Sequence, residues 1–114
     1  MNQVLYDELV NLARTQRISA YSDVSPLVGL SMTIDQDREQ IALLLSEIAW
    51  HEHQNNRPML TSLIVHKGGD NNPGEGFFAI AKEFSLFNGS RDPILRLEFW
   101  ANQVRLVHNL WASA

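Results

Sequence analysis

The sequence predicts a mainly helical α+β fold, one domain with a small β element and a long C-terminal helix. Three observations carry that prediction: apolar residues recur at helical spacing in four segments, the branched apolar runs that suit strands are short, and turn formers separate the segments without an interdomain linker. At 114 residues, 45% of them hydrophobic and 19% charged, the chain has the material for an ordinary core. A domain of this size buries roughly 65% of its unfolded surface, and intrinsic disorder is excluded.

Residues 2–17 place Leu5, Leu9 and Leu12 at i, i+4, i+7 beside Val4, with Asp7, Glu8, Asn11 and Arg14 elsewhere on the wheel. That spacing predicts an amphipathic helix, and its early acids and late Arg14 and Arg17 suit the helix dipole. Ile18 to Tyr21 alternates apolar and polar residues and predicts a very short strand, with Ser22 as the cap of the next helical piece. Residues 22–30 have room for one or two helical turns, with Pro26 near the first turn and Gly29 at the end. Thr33-Ile34-Asp35-Gln36 has the spacing of a capping box, and Ile41, Leu44, Leu45 and Ile48 supply a core stripe to about Glu52. Polar turn formers from His53 to Arg57, followed by Pro58, break this third helix.

Met59 to His66, short and rich in branched apolar residues, predicts a strand. Lys67 to Gly74 holds three glycines in eight residues and predicts an exposed, mobile loop. Gly76 to Phe87 returns to helical spacing through Phe77, Ile80, Ala81 and Phe84, and Asn88-Gly89 is its stop signal. Asp92-Pro93, a capping residue followed by proline at the first helical position, opens a last helix over about 92–112. Leu97, Trp100, Val104, Val107 and Trp111 form one stripe on it, and Leu95, Phe99, Leu106 and Leu110 populate the opposite flank. A helix apolar on two sides is clamped between elements or joins an oligomer interface. Phe99, Leu106, Leu110 and Trp111 are the interface candidates, and a homodimer is the expected assembly.

This order of elements matches a winged helix-turn-helix layout, with residues 2–88 as the winged-helix-like core. Ile18 to Val24, Val28-Gly29-Leu30, Arg38 to Leu45 and Arg57-Pro58-Met59-Leu60 resemble the DNA-binding domain of alkylguanine-DNA alkyltransferases and their non-enzymatic relatives. That family has an aromatic residue opening a small helix, a glycine ending it, an arginine on the recognition helix and a proline leading into the next strand. The resemblance spans about residues 15–80 and implies a winged helix with DNA as its partner. The family's catalytic Pro-Cys-His-Arg is absent, and Pro58-Met59-Leu60-Thr61 stands in the comparable place, so alkyl transfer is not implied. The chain is also similar to small bacterial proteins in which an Arg-Pro-Met-Leu-like strand precedes a Pro-Gly-x-Gly-Phe-Phe loop, here Pro73 to Phe78.

Charge and composition bound the function. Nine Lys and Arg against thirteen Asp and Glu leave a net charge of −4, which opposes a dominant nonspecific attraction to nucleic acid or anionic membranes. With no cysteine, disulfides, cysteine-based zinc fingers, iron–sulfur clusters and thiol nucleophiles are excluded. No apolar run approaches the roughly 18 residues of a membrane span. The first residues have neither a basic n-region nor a long apolar h-region, so a cytoplasmic location is expected.

Gln36, Arg38 and Gln40 on the third helix, with Lys67 on the wing, are the candidate DNA contacts, because recognition helices enter the major groove with such side chains. Asp35, Asp37, Glu39, Glu47 and Glu52 on the same helix oppose them. Glu47 and His51, four apart, with Glu52 and the more distant His66, are the candidate ligand or metal cluster, although no spacing forces them to converge. Ser62, His66 and Glu52 have the residue types of a hydrolytic triad, but four residues along a strand is too far for a direct hydrogen bond and no nucleophile elbow is present. No catalytic residue and no cofactor are therefore assigned. Residues 67–76 fit neither phosphate-loop pattern, and Asp70 and Glu75 would repel phosphate. Arg57 is expected to clamp against Glu52 or Glu47, and Trp50, Trp100 and Trp111 to pack.

These residues suit three functions. The first is a noncatalytic winged-helix binding module with DNA as its partner. The second is an acidic interaction protein, of immunity or antitoxin type, for a basic protein partner. The third is a small metal-dependent hydrolase using His51, Glu52 and His66.

Overall fold

The computed structural model describes residues 1–68 and 71–112. Helix α1 (Gln3–Arg14) starts where the Asn2 side chain accepts the Leu5 amide at 2.9 Å. It ends three residues before Arg17 because Gln16 turns left-handed (φ 59°), and the Arg17 amide folds back to the Leu12 carbonyl at 2.9 Å. Strand β1 is only Ser19–Ala20, since Tyr21 already begins α2 (Tyr21–Val24). The cap position is Ala20 rather than Ser22, and no side chain caps it. A 3₁₀ turn over Ser25–Val28 carries Pro26 in its first turn and ends at Gly29, whose φ of 74° suits glycine.

Helix α3 (Asp35–Gln54) forms as expected, but the capping box at Thr33 does not. Its cap position is Ile34. Asp37 instead reaches back to accept the Ser31 amide at 2.9 Å, and the Ser31 and Thr33 hydroxyls pair at 2.7 Å. The strand expected over Met59–His66 is largely a 3₁₀ turn, Leu60–Leu63, and only Ile64–Val65 is strand β2. Every residue from Met59 to Val65 is buried, so hydrophobic pattern could not distinguish turn from strand here. β2 pairs in parallel with β1, Ser19 opposite Ile64 and Ala20 opposite Val65. Among the described residues no strand follows β2. The loop is instead tied back on itself by the His66 amide and the Asn72 carbonyl at 2.8 Å, while Gly69 and Asp70 lie outside the described residues.

Helix α4 (Glu75–Glu83) stops well before Asn88-Gly89. Ser85 adopts φ 59°, and the Leu86 amide returns to the Ala81 carbonyl at 3.0 Å, which closes the helix without glycine. Helix α5 (Pro93–Ala112) begins as its sequence predicts, with the Asp92 carboxylate accepting the Ile94 amide at 2.9 Å.

Two apolar clusters organise the chain. Leu5, Leu9 and Leu12 of α1 meet Ile41, Leu45 and Ile48 of α3, together with Leu60, Leu63, Ile64 and Val107. Ala49, Met59, Phe77, Phe78, Ala81 and Phe84 form the second, with Phe87, Phe99 and Trp100 packed on it. The last helix bridges both, and between them buried Gln103 accepts the Met59 amide at 2.9 Å. The chain is thus a mainly helical α+β fold with a two-stranded parallel sheet. Among the described residues no helix is long and apolar enough to cross a membrane.

Candidate binding groove

The first half of α3 and the facing side of α4 border a groove of about 670 Å³, with Tyr21 and Thr61 also in its lining. Ile41, Ala42, Leu45 and Ser46 line one wall, and Gly76, Phe77, Ala79 and Ile80 the other. Arg38 stands on the α3 lip, while His66, Pro73 and Gly74 line the end reached by the loop after β2. A predominantly apolar recess of this size with a few polar groups is the usual form of a ligand site.

The closed end is held by a small set of contacts. The Tyr21 ring stacks on His66 with centroids 4.3 Å apart and planes 24° from parallel. The Tyr21 hydroxyl donates to the Pro73 carbonyl at 2.8 Å, and burial pushes the phenol up to about 12. Gly74 has φ 89°, and a Cβ there would lie 2.7 Å from His66 Nε2, so backbone and imidazole touch only because the residue is glycine. The Asn72 side chain accepts the Gly74 amide at 2.9 Å and fixes the bend.

Of the candidate DNA contacts, Arg38 lines this groove, and Gln36, Gln40 and Lys67 are not part of its lining. Gln36, Arg38 and Gln40 occupy the first half of α3, and all three are exposed. Arg38 donates to the Met32 carbonyl at 2.8 Å and pairs with Asp35, and Lys67 pairs with Asp23 at 2.9 Å. Each cation thus carries a local carboxylate. The candidate ligand cluster is not one site: His66 belongs to the groove, whereas Glu47 is at the surface with the N-terminal amine 3.5 Å away.

Glu52 is fully buried and belongs to Arg57, with Tyr6 donating to Glu52 Oε2 at 3.2 Å and His51 Nε2 4.0 Å from the same oxygen. Among the described residues no three His, Asp or Glu side chains converge to hold a metal. Ser62 does not meet His66 in a triad: it lies in the buried 3₁₀ turn, and its Oγ has no hydrogen-bond partner among the described residues.

The interface candidates divide. Phe99 packs on Phe77 and Phe87, and Trp111 lies within 5.7 Å of Arg14 and 5.8 Å of Arg57, whereas Leu106 and Leu110 keep 36% and 41% of their surface. Trp50 remains 42% exposed against the edge of Phe84 rather than entering the core.

Set against protein-family models, curated proteins and solved structures, the chain matches none of them.

The groove therefore has to be read from its own chemistry. Arg38 and His66, assigned to different candidate sites by sequence, line one recess, and Tyr21 and Thr61 are the side chains that sequence reasoning missed. Tyr21 had a signal, an aromatic at the start of a short helix; Thr61 had none. The groove offers an apolar wall with one imidazole, one arginine and the carboxylates of Glu39 and Glu75 in its lining, which suits binding. Among the described residues no activated nucleophile or positioned acid–base pair accompanies them.

Proposed function

We propose that this chain is a noncatalytic binding module of winged-helix type that engages duplex DNA with the first half of α3. In this reading α2 with its 3₁₀ turn and α3 form the helix-turn-helix, and the loop after β2 serves as the wing. One observation carries it: α3 and the loop after β2 border a common groove that Arg38 lines, and Gln36 and Gln40 lie exposed on the same half of that helix. Glutamines read base edges and arginine takes guanine or phosphate, the inventory a major-groove helix uses.

Charge sets the strength. With a net charge of −4, and with Arg38 and Lys67 each accompanied by a carboxylate, phosphate must displace Asp35 and Asp23 before it gains either cation. Affinity is then modest and falls steeply with salt. Fluorescence anisotropy with mixed-sequence duplex DNA tests this at low and physiological salt. Binding with a salt slope, weakened by Arg38→Ala, is the expected result. No binding at low salt overturns the DNA reading.

A second reading, docking to a basic protein or to a second copy, is favoured by α5, where Ile94 and Leu97 keep 66% and 58% of their surface. It predicts concentration-dependent size in light scattering, or capture by a basic partner, without DNA binding.

A further inference from the structure

Pro73 and Glu75 also line a second recess, of about 570 Å³, whose other walls are Phe78 of α4 and Pro93, Leu97 and Trp100 at the head of α5. Its apolar surfaces are fixed in place. The Trp100 indole donates to the Ser62 carbonyl at 2.8 Å, which sets the ring orientation, and Phe78 is buried in the second core cluster.

Arg96 is built into this recess. Its Nε donates to the Ser90 carbonyl at 2.9 Å, and its guanidinium carbon lies 4.7 Å above the centre of the Phe78 ring. Only 19% of its side chain is exposed. The remaining fork of two nitrogens faces Glu75, at 2.8 and 3.2 Å from the two carboxylate oxygens. Glu75 is different: its side chain is 71% exposed, and Arg96 is its hydrogen-bond donor. The arginine is thus ordered and the carboxylate on it is loosely held. Arg91 also lines the recess and stands near enough for its charge to act on Glu75.

We propose that this recess binds an organic monocarboxylate with a flat apolar body, whose carboxylate replaces Glu75 on the Arg96 fork while the body lies against Phe78, Leu97 and Trp100. Arg96 already holds a carboxylate in the two-point geometry that planar guanidinium prefers. Glu75, once displaced, keeps its charge near Arg91 and so loses less than a carboxylate released into an apolar pocket. The same residual charge disfavours a dianion such as phosphate, and this selects a single carboxylate. The recess has the volume of a small-molecule site, and its lining combines aromatic faces with a few convergent polar groups. The same chemistry is offered by a free aromatic acid and by the C-terminus of a peptide ending in an aromatic residue.

The test is NMR titration of the ¹⁵N-labelled full chain, following the Trp100 indole and Arg96 Nε signals. The probes are 2-naphthoate, neutral 2-naphthamide, and N-acetyl-Leu-Phe as the peptide arm. Saturable shifts at both signals are expected with 2-naphthoate or with the peptide acid, and whichever binds more tightly identifies the source. Naphthamide should give neither. Glu75→Gln, a substitution at an exposed position, removes the internal competitor and should tighten binding about tenfold. Arg96→Gln should abolish binding, but it also removes the bond to Ser90, so the Glu75→Gln result decides. Unchanged or weaker binding in Glu75→Gln, equal binding of the amide, or no saturable shift with either acid overturns the proposal.

Discussion

Arg57 lays its guanidinium along the fully buried carboxylate of Glu52, with Nε 3.1 Å from both carboxylate oxygens and a terminal nitrogen 2.6 Å from Oε2. The Glu52 carboxylate raises the already high affinity of this guanidinium for its proton. The pair spans the turn that ends α3, and Trp111 of α5 packs beside the same guanidinium. Removing either partner has unequal consequences. Arg57→Ala strands a carboxylate with no access to water, and a loss of about 3–5 kcal/mol is expected in urea unfolding. Glu52→Gln leaves an arginine that is 29% exposed and can hydrate, so about 1–2 kcal/mol is expected. Replacing both by leucine should lie closer to wild type than Arg57→Ala alone, because no charge is then left buried. Equal losses in the two single variants would show that the pair acts through packing instead of charge.

Two glycines beside the groove make a matched comparison. Gly74 has φ 89° and its missing Cβ leaves room for His66, whereas a Cβ on Gly76 meets nothing within 4 Å. Gly74→Ala is expected to cost about 1–2 kcal/mol from the backbone alone and to dislodge the imidazole from Tyr21. Gly76→Ala, in the first turn of α4, should be neutral or stabilising by up to about 1 kcal/mol. Thermal unfolding reads the stability, and the His66 ring resonances read the stack. A Gly74→Ala protein with unshifted His66 signals would contradict a groove end closed by the contact between Gly74 and the imidazole.

Legibility followed the range of the interactions. The start of α5 was readable because Asp92 and Pro93 act on the next turn, and the end of the short helical segment because Gly29 alone provides the left-handed residue. The Thr33 capping box misled because Asp37, two residues into α3, reaches the Ser31 amide instead. Met59–Val65 was misread since complete burial erases the pattern that separates strand from turn. The Arg57 clamp was visible as two charges across a turn. The groove was only half visible: Arg38 and His66 each drew notice, but their neighbourhood is created by the packing of α3, β2 and α4. Glu75 and Arg96, 21 residues apart, carry no local signal of pairing at all.

Hydrogen bonds from Arg96, followed by the charges of Arg96 and Arg91, hold the Glu75 carboxyl below its ordinary value of 4.5. A carboxylate depressed in the folded state contributes stability above its unfolded value, and that contribution is lost as pH falls through the folded value. Because Glu75 is exposed, the effect on total stability is small and the titration itself is the better measure. The side-chain carboxyl carbon of Glu75 should titrate below 4.5 in the wild type and return towards it in Arg96→Gln. An unchanged midpoint in that variant would mean that the two side chains do not meet in solution.

The chain's two tyrosines report on burial from the alkaline side. Burial raises Tyr21 from 10.0 to about 12, and burial followed by the Glu52 charge raises Tyr6 as well. For an acid whose folded value lies above its unfolded value, the stability contribution is complete below the unfolded value and disappears as pH rises through the folded one. Stability should therefore decline from pH 10.0 towards about 12, and Tyr21→Phe should flatten that decline while costing about 1 kcal/mol at neutral pH through the lost bond to Pro73. Tyrosinate absorbance in native protein should likewise develop only above the ordinary midpoint of 10.0. A native midpoint at 10.0 would place the Tyr21 phenol in water, which requires the His66 stack to open. The groove would then lose the Tyr21–His66 pair from its lining, and any ligand-binding role assigned to it would have to be rebuilt from the exposed face of α3 alone.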